Sequence, residues 1–267
     1  MLLKGFSVPL SPEGRATLTP LPPWFYSGDL LVVDFEARPE VVAAVLPPWL
    51  EPDSADPGGC TAFFADWQYA SETGEERLDP VRSQYREFIL LVNAGYAGRP
   101  VSTCPYMYVD KDSSLARGWI QGWPKKLADV CITRAAPLQS PAAPRVEPGA
   151  LFAGTLSANG RRLADASVTL EKVSENPVYL GSRTILNVRY FPQLAGGAQA
   201  RPAVHELVRS ILSGAQRTEV WEGQASLTFF PAPDQELDVF QPQRIRRGYR
   251  YSAAFRVDDL EVVERLV

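Results

Sequence analysis

The chain has 267 residues, 45% of them hydrophobic and 22% charged, with a formal net charge of −4. That length buries a sizeable core in one large domain or two small ones, and the acidic surplus leaves no basic footprint for nucleic acid. No apolar run approaches the roughly 20 residues of a membrane span, and the start Met1-Leu2-Leu3-Lys4-Gly5-Phe6 lacks a signal-peptide pattern, so a cytoplasmic protein is expected.

Residues 1–23 are rich in proline and read as an extended arm. Residues 30–36 form a β-rich run and predict a strand. Pro39 stands at a first-turn position and Pro47-Pro48 is a stop, which predicts a short helix over 38–46. Residues 53–59 read as a loop, 61–67 as a strand, 71–79 as a charged, solvated loop and 85–92 as a strand. Residues 106–109 and 130–133 predict two more strands, and 137–148 a proline-alanine loop. Asn159-Gly160 is a hairpin signal between strands at 151–156 and 163–170. A strand is expected at 184–191 and a loop at 194–200. Residues 202–212 fit a helix by periodicity, since Val204, Leu207, Val208 and Ile211 share one helical face, and a strand remains open there. Strands at 225–230 and 249–257 precede a tail to Val267. Many short strands, frequent turns and few long helices predict an antiparallel barrel or sandwich in one domain over 1–267.

The residue inventory narrows the chemistry. Cys60, Cys104 and Cys131 show no Cys-x-x-Cys spacing and are expected as reduced, buried thiols. The single histidine, His205, argues against a histidine metal site and against histidine-based triads, so a structural or surface role is expected for it. No phosphate-binding Gly-x-x-x-x-Gly-Lys-Ser/Thr loop occurs. Lysine, carboxylate and tyrosine chemistry is what remains.

The stretch from Arg117 to Leu127 places Lys125 and Lys126 directly after Trp123-Pro124, behind apolar and small residues. A lysine in such a setting either carries its charge to water or is desolvated. Desolvation disfavours the ammonium, and the neutral amine forms a Schiff base with a ketone. On pattern alone, a solvated turn is the alternative.

The run Gly122-Trp123-Pro124-Lys125-Lys126-Leu127 resembles the active-site signature of the acetoacetate decarboxylase family. The likeness extends to residues 25–52, to Tyr85-x-Glu87, to residues 106–110, to Trp221-Glu222-Gly223 and to the tail. It implies a mainly β (α+β) fold, an antiparallel double-layer, cone-shaped barrel with a few short helices, and homo-oligomers of at least two chains. It also implies that Lys125 is the Schiff-base nucleophile and Glu87 the proton shuttle. Strand alternation sets Tyr85 on the same face as Glu87, as a donor to a developing oxyanion or leaving hydroxyl.

Three departures separate the chain from the decarboxylases. Gly28 stands where those enzymes have an arginine, Arg117-Gly118-Trp119 where they have Gly-Arg-Glu, and Gln121 where they are apolar. The set Tyr85, Glu87, Gln121 and Lys125 most resembles pyruvate aldolase-dehydratases. That resemblance implies a lyase that joins a 2-oxo acid to an aldehyde and removes water, with no metal and no cofactor beyond the lysine imine. Acetoacetate or β-keto-acid decarboxylation is the alternative, and a non-catalytic small-molecule-binding barrel a further one. Gln121, Trp123, Tyr108 and Phe25 are the expected substrate-binding residues, with Trp24 and Trp119 as possible pocket walls. Lys126 is expected to face outward, because adjacent side chains on an extended segment point apart.

Overall fold

A computed structural model describes residues 2–138, 140–197 and 200–266. Met1, Gln139, Ala198, Gln199 and Val267, which fall in the expected arm, loops and tail, lie outside the described residues.

In chain order the elements are β1 (Trp24–Glu36), α1 (Pro39–Ala44), β2 (Glu51–Pro52), β3 (Gly59–Ser71), α2 (Pro80–Ser83), β4 (Gln84–Tyr96), β5 (Arg99–Val109), α3 (Asp112–Ile120), β6 (Lys125–Leu127), β7 (Asp129–Ile132), β8 (Leu151–Ala158), β9 (Arg161–Val173), β10 (Thr184–Ile185), β11 (Asn187–Phe191), β12 (Val204–Arg217), β13 (Trp221–Phe229) and β14 (Arg244–Arg265). The hydrogen-bonded order is β10-β5-β4-β3-β1-β14-β13-β9-β8-β7, with β2 on β4, β6 on β5, and β11 joined through β12 to β14. All pairings are antiparallel except β10 and β6 on β5. The fold class is the expected one, but the sheet does not close on itself: β10 and β7 end the path.

Both faces of the central strands are buried, which is why they read as near-continuous apolar runs. On β1, Leu31, Val33 and Phe35 enter one cluster with Phe64, Phe88, Tyr108, Phe152 and Phe229. Leu30 and Val32 enter another with Phe63, Trp67, Tyr85, Ile89 and Met107. The long β14 holds the layers together, since its first half pairs with β1 and β13 while its second half pairs with β12.

The run at 202–212, open between helix and strand, resolves as a strand from Val204 onward, because β11 and β14 flank β12 on both sides and satisfy its backbone. Other expectations change. The strand expected at 184–191 breaks at Leu186, where the chain leaves β5 for β12, and the Asn187 side chain accepts the Cys104 N–H at 3.0 Å. The segment 71–79 is not wholly solvated. It carries a 3-10 turn over Glu75–Leu78, and the buried Glu76 carboxylate accepts the Ser71 N–H and hydroxyl at 3.1 and 2.9 Å. Cys60 and Cys104 are buried, but Cys131 is exposed on β7, which ends the sheet path. His205 stands edge-on to Trp49 and Tyr190, each at 5.2 Å between centroids. No helix among the described residues is long and apolar enough to cross a membrane.

Candidate active site

A cavity of about 620 Å³ opens on the Met107 face of the sheet. Its floor is built by β4, β5, β6 and α3. On β4, Tyr85 and Glu87 alternate onto this face as expected. Lys125 is the first residue of β6, a three-residue strand laid parallel to β5 with Lys125 opposite Met107 and Lys126 opposite Tyr108. That pairing decides which lysine is buried. Lys125 follows Met107 into the cavity and is 7% exposed. Lys126 lies on the other side, exposed, with its Nζ donating to Gln235 Oε1 at 2.8 Å.

Lys125 Nζ donates to Glu87 Oε2 at 2.8 Å and to Ser114 Oγ at 3.0 Å. The indole N–H of Trp67 donates to Glu87 Oε1 at 3.1 Å, so the carboxylate is fixed from two sides. Burial holds the Lys125 ammonium below the ordinary lysine value; the Glu87 charge opposes that shift and the Arg117 charge reinforces it. Burial, aided by the Glu87 charge, pushes the Tyr85 phenol well above its usual value, and burial does the same to Tyr26 against the pull of Arg117. Both phenols therefore face the cavity as protonated donors.

Helix α3 was not foreseen, and it backs the floor, which its C-cap residue Gln121 reaches. Ser114, Arg117, Gly118 and Gln121 recur at helical spacing and share its inward side. The signal was present, but it is the reverse of an ordinary amphipathic helix. The buried side carries serine, arginine, glycine and glutamine, while Trp119 is 49% exposed. Gly118 leaves space for the lysine: a β-carbon there would lie 2.3 Å from Lys125 Cδ. The helix ends through Trp123 N–H donating to Gly118 O at 2.8 Å, with Gly122 at φ +81°, and this turn sends the chain into β6.

Gln121 lines the cavity with its amide mostly committed. Nε2 donates to Arg117 O at 3.0 Å and Oε1 accepts from the Ser210 hydroxyl at 3.0 Å, which leaves one N–H for a ligand. Trp123 also lines the cavity.

Tyr108 and Phe25 do not. Tyr108 points to the opposite face because its neighbour Met107 points inward, and its hydroxyl donates to Gln235 Oε1 at 2.6 Å. Phe25 is 40% exposed in a second, shallower groove, and alternation gives the cavity position to Tyr26. Trp24 is buried with its indole N–H on Pro20 O at 2.9 Å, and the Trp119 indole N–H donates to the Lys125 carbonyl at 2.9 Å, so neither walls the cavity.

Arg117 was also missed. It is 2% exposed, stacks 3.7 Å from the Tyr69 ring centroid, and lies behind Tyr85 at 5.7 Å. Gly28 stands where the decarboxylases have an arginine and supplies no cation. A buried cation is present after all, supplied from α3, while a β-carbon at Gly28 would press against Asp66 O at 2.4 Å and Trp67 Cε3 at 2.5 Å.

A family model described as acetoacetate decarboxylase matches residues 7–266. The chain belongs to the acetoacetate decarboxylase family. Within the known structures of this fold, the enduracididine biosynthesis enzyme MppR is similar at 33% identity and TM-score 0.92, covering all of this chain and 97% of that one. MppR has been solved with pyruvate, and with the condensation product of pyruvate and imidazole 4-carboxaldehyde. An acetoacetate decarboxylase-like enzyme from Sphingomonas wittichii RW1 is 27% identical at TM-score 0.88, over 98% of this chain and 100% of that one. A Legionella pneumophila acetoacetate decarboxylase shares the fold at 18% identity and TM-score 0.75, over 100% of this chain and 98% of that one. No curated protein matches this chain. Family membership makes the chain kin to enzymes.

Proposed function

We propose that this family member is a Schiff-base lyase that condenses a 2-oxo acid, pyruvate foremost, with an aldehyde and then removes water. The observation that carries the reading is the buried Lys125 amine held 2.8 Å from Glu87 at the floor of a cavity with room for a second substrate. The full-length likeness to MppR, which binds pyruvate and a pyruvate-aldehyde condensation product, supports the choice of substrates.

The chemistry follows from the pair. Moving the ammonium proton from Lys125 to Glu87 removes both buried charges and frees the nucleophile. The amine adds to the pyruvate C2 carbonyl, and the Glu87 acid protonates the carbinolamine hydroxyl as it leaves as water. The resulting iminium withdraws electrons from C3, and the Glu87 carboxylate takes a C3 proton to give the enamine. The enamine carbon attacks the aldehyde carbon, and its oxygen is met by the Tyr85 hydroxyl. Loss of a second C3 proton and of that oxygen as water leaves a conjugated imine. Hydrolysis then returns Lys125 and releases an unsaturated 2-oxo acid. In this reading the remaining Gln121 N–H receives the pyruvate carboxylate. The imine is the only covalent carrier this sequence needs.

The test is borohydride trapping with intact-mass analysis, run with pyruvate and in parallel with acetoacetate. A pyruvate adduct mapped to Lys125, with an enone absorbance growing in when aldehyde is added, is the expected result. Acetoacetate turnover with CO₂ release and no enone would give the site to decarboxylation instead, and no adduct from either acid would overturn both.

A further inference from the structure

The cavity is much larger than a three-carbon acid requires and falls within the roughly 300–1,000 Å³ of sites that enclose drug-sized ligands. Its floor is occupied by the Lys125–Glu87 pair, and both residues are buried. Its mouth is different. It is formed by a strap over residues 179–184 and by the end of β12 at Ala215, Gln216 and Arg217, which are exposed. The strap is tied down where the Leu180 N–H donates to the Tyr251 hydroxyl at 2.8 Å. Opposite Gln216 and Arg217, β14 carries Ala254 and Ala253, so little side chain fills the space before them.

The charges in this cavity do not balance. Among the described residues Glu87 is the one carboxylate lining it, and Lys125 takes it. Among the cations at the mouth, Arg183 is paired with Asp53 and Arg209 with Glu261. Arg217 makes no ion pair among the described residues, and its guanidinium lies 4.1 Å from the Tyr179 ring centroid. An arginine held against an aromatic face keeps its planar edge free for a carboxylate or phosphate. The pyruvate carboxylate does not reach it, because attack by Lys125 sets that group two bonds from Nζ on the buried floor.

We propose that Arg217 and Tyr179 form an acceptor subsite that selects an aldehyde with a flat, apolar body and an anionic group remote from its carbonyl. The identity of the ligand as an aldehyde rests on the lyase reading above; the preference for an anion rests on the mouth alone. Tyr179, Tyr251 and Phe255 provide the apolar walls, and a cationic aldehyde would meet like charge at the rim.

The experiment measures calorimetric binding of three unreactive ring compounds, 4-methylbenzoate, 4-methylbenzamide and 4-methylbenzylammonium, to the full chain and to its Arg217→Gln and Arg217→Glu variants. The acid is expected to bind the unaltered chain roughly fivefold tighter than the amide, the gain of a partly exposed charge pair. Arg217→Gln removes that gain and Arg217→Glu turns the preference toward the ammonium. Equal binding of acid and amide overturns the subsite. So does an acid preference that survives Arg217→Gln, since the anion would then sit at Lys125. Borohydride trapping of pyruvate on the unaltered chain is run beside it. Failed trapping with an Arg217-dependent acid preference removes the lyase reading and leaves the anionic subsite standing.

Discussion

The two faces of β5 and β6 differ in burial and in chemistry, and they are one residue apart in sequence. On one face Met107 and Lys125 border a cavity, with the lysine amine bonded to Glu87 and Ser114. On the other, Tyr108 and Lys126 sit over a dry core and share the Gln235 carbonyl at 2.6 and 2.8 Å. The same Lys-Lys pair is thus a buried amine and an exposed cation. The difference teaches that the burial of the Lys125 amine and its lowered pKa lie in what covers it, not in the side chain itself: Glu87 from β4, Ser114 and Gly118 from α3, and the Arg117 charge behind them.

The most severe way to break this comparison is to remove each lysine in turn. Lys125→Ala should abolish the borohydride-trapped pyruvate adduct, while Lys126→Ala should leave it intact by intact-mass analysis. Equal loss in both would mean that the two faces act together. Next in size is Glu87→Gln, which keeps the shape of the pair but cannot take up the C3 proton. Turnover should fall by about 10²–10⁴, the usual worth of general acid–base catalysis, with some imine still trapped. Full turnover would place the proton shuttle elsewhere.

The pH dependence sharpens the same contrast. Burial disfavours the Lys125 ammonium, so the free amine appears at lower pH than in water. The rate of imine formation should rise with pH about a midpoint below the ordinary lysine value of 10.5. A midpoint at or above that value would mean the site does not desolvate its lysine. The smallest effect belongs to the dry face. Tyr108→Phe removes one hydrogen bond to Gln235, which keeps Lys126 as a partner, and should cost about 0.5–1.5 kcal/mol of stability in a denaturant melt without altering trapping.

Much of the fold was legible because strand formation here is a local affair. The runs at 30–36, 61–67 and 85–92 carry mostly apolar residues on both faces, 163–170 alternates apolar with polar, and the prolines around 38–48 bound α1. The ambiguous run at 202–212 was not settled locally. Val204, Leu207, Val208 and Ile211 satisfy a helical period, and only the presence of β11 and β14 on either side makes them a strand. Helix α3 was missed for the converse reason, since its inward residues are polar and include a buried charge, Arg117.

The sequence by itself determined where most strands lie along the chain, the membership of the family, and the candidates Tyr85, Glu87, Gln121 and Lys125 that line the cavity, because alternation and the likeness of short motifs are properties of neighbouring residues. The tertiary structure alone decided that Tyr108 and Phe25 lie outside the cavity, that Tyr26 lines it with Arg117 buried behind Tyr85, that the sheet stays open, and that Arg217 makes no ion pair among the described residues at the mouth. Those outcomes depend on which distant strand covers which face. Alternation along one strand says that two side chains oppose each other, but only the strand that packs against them says which of the two is dry.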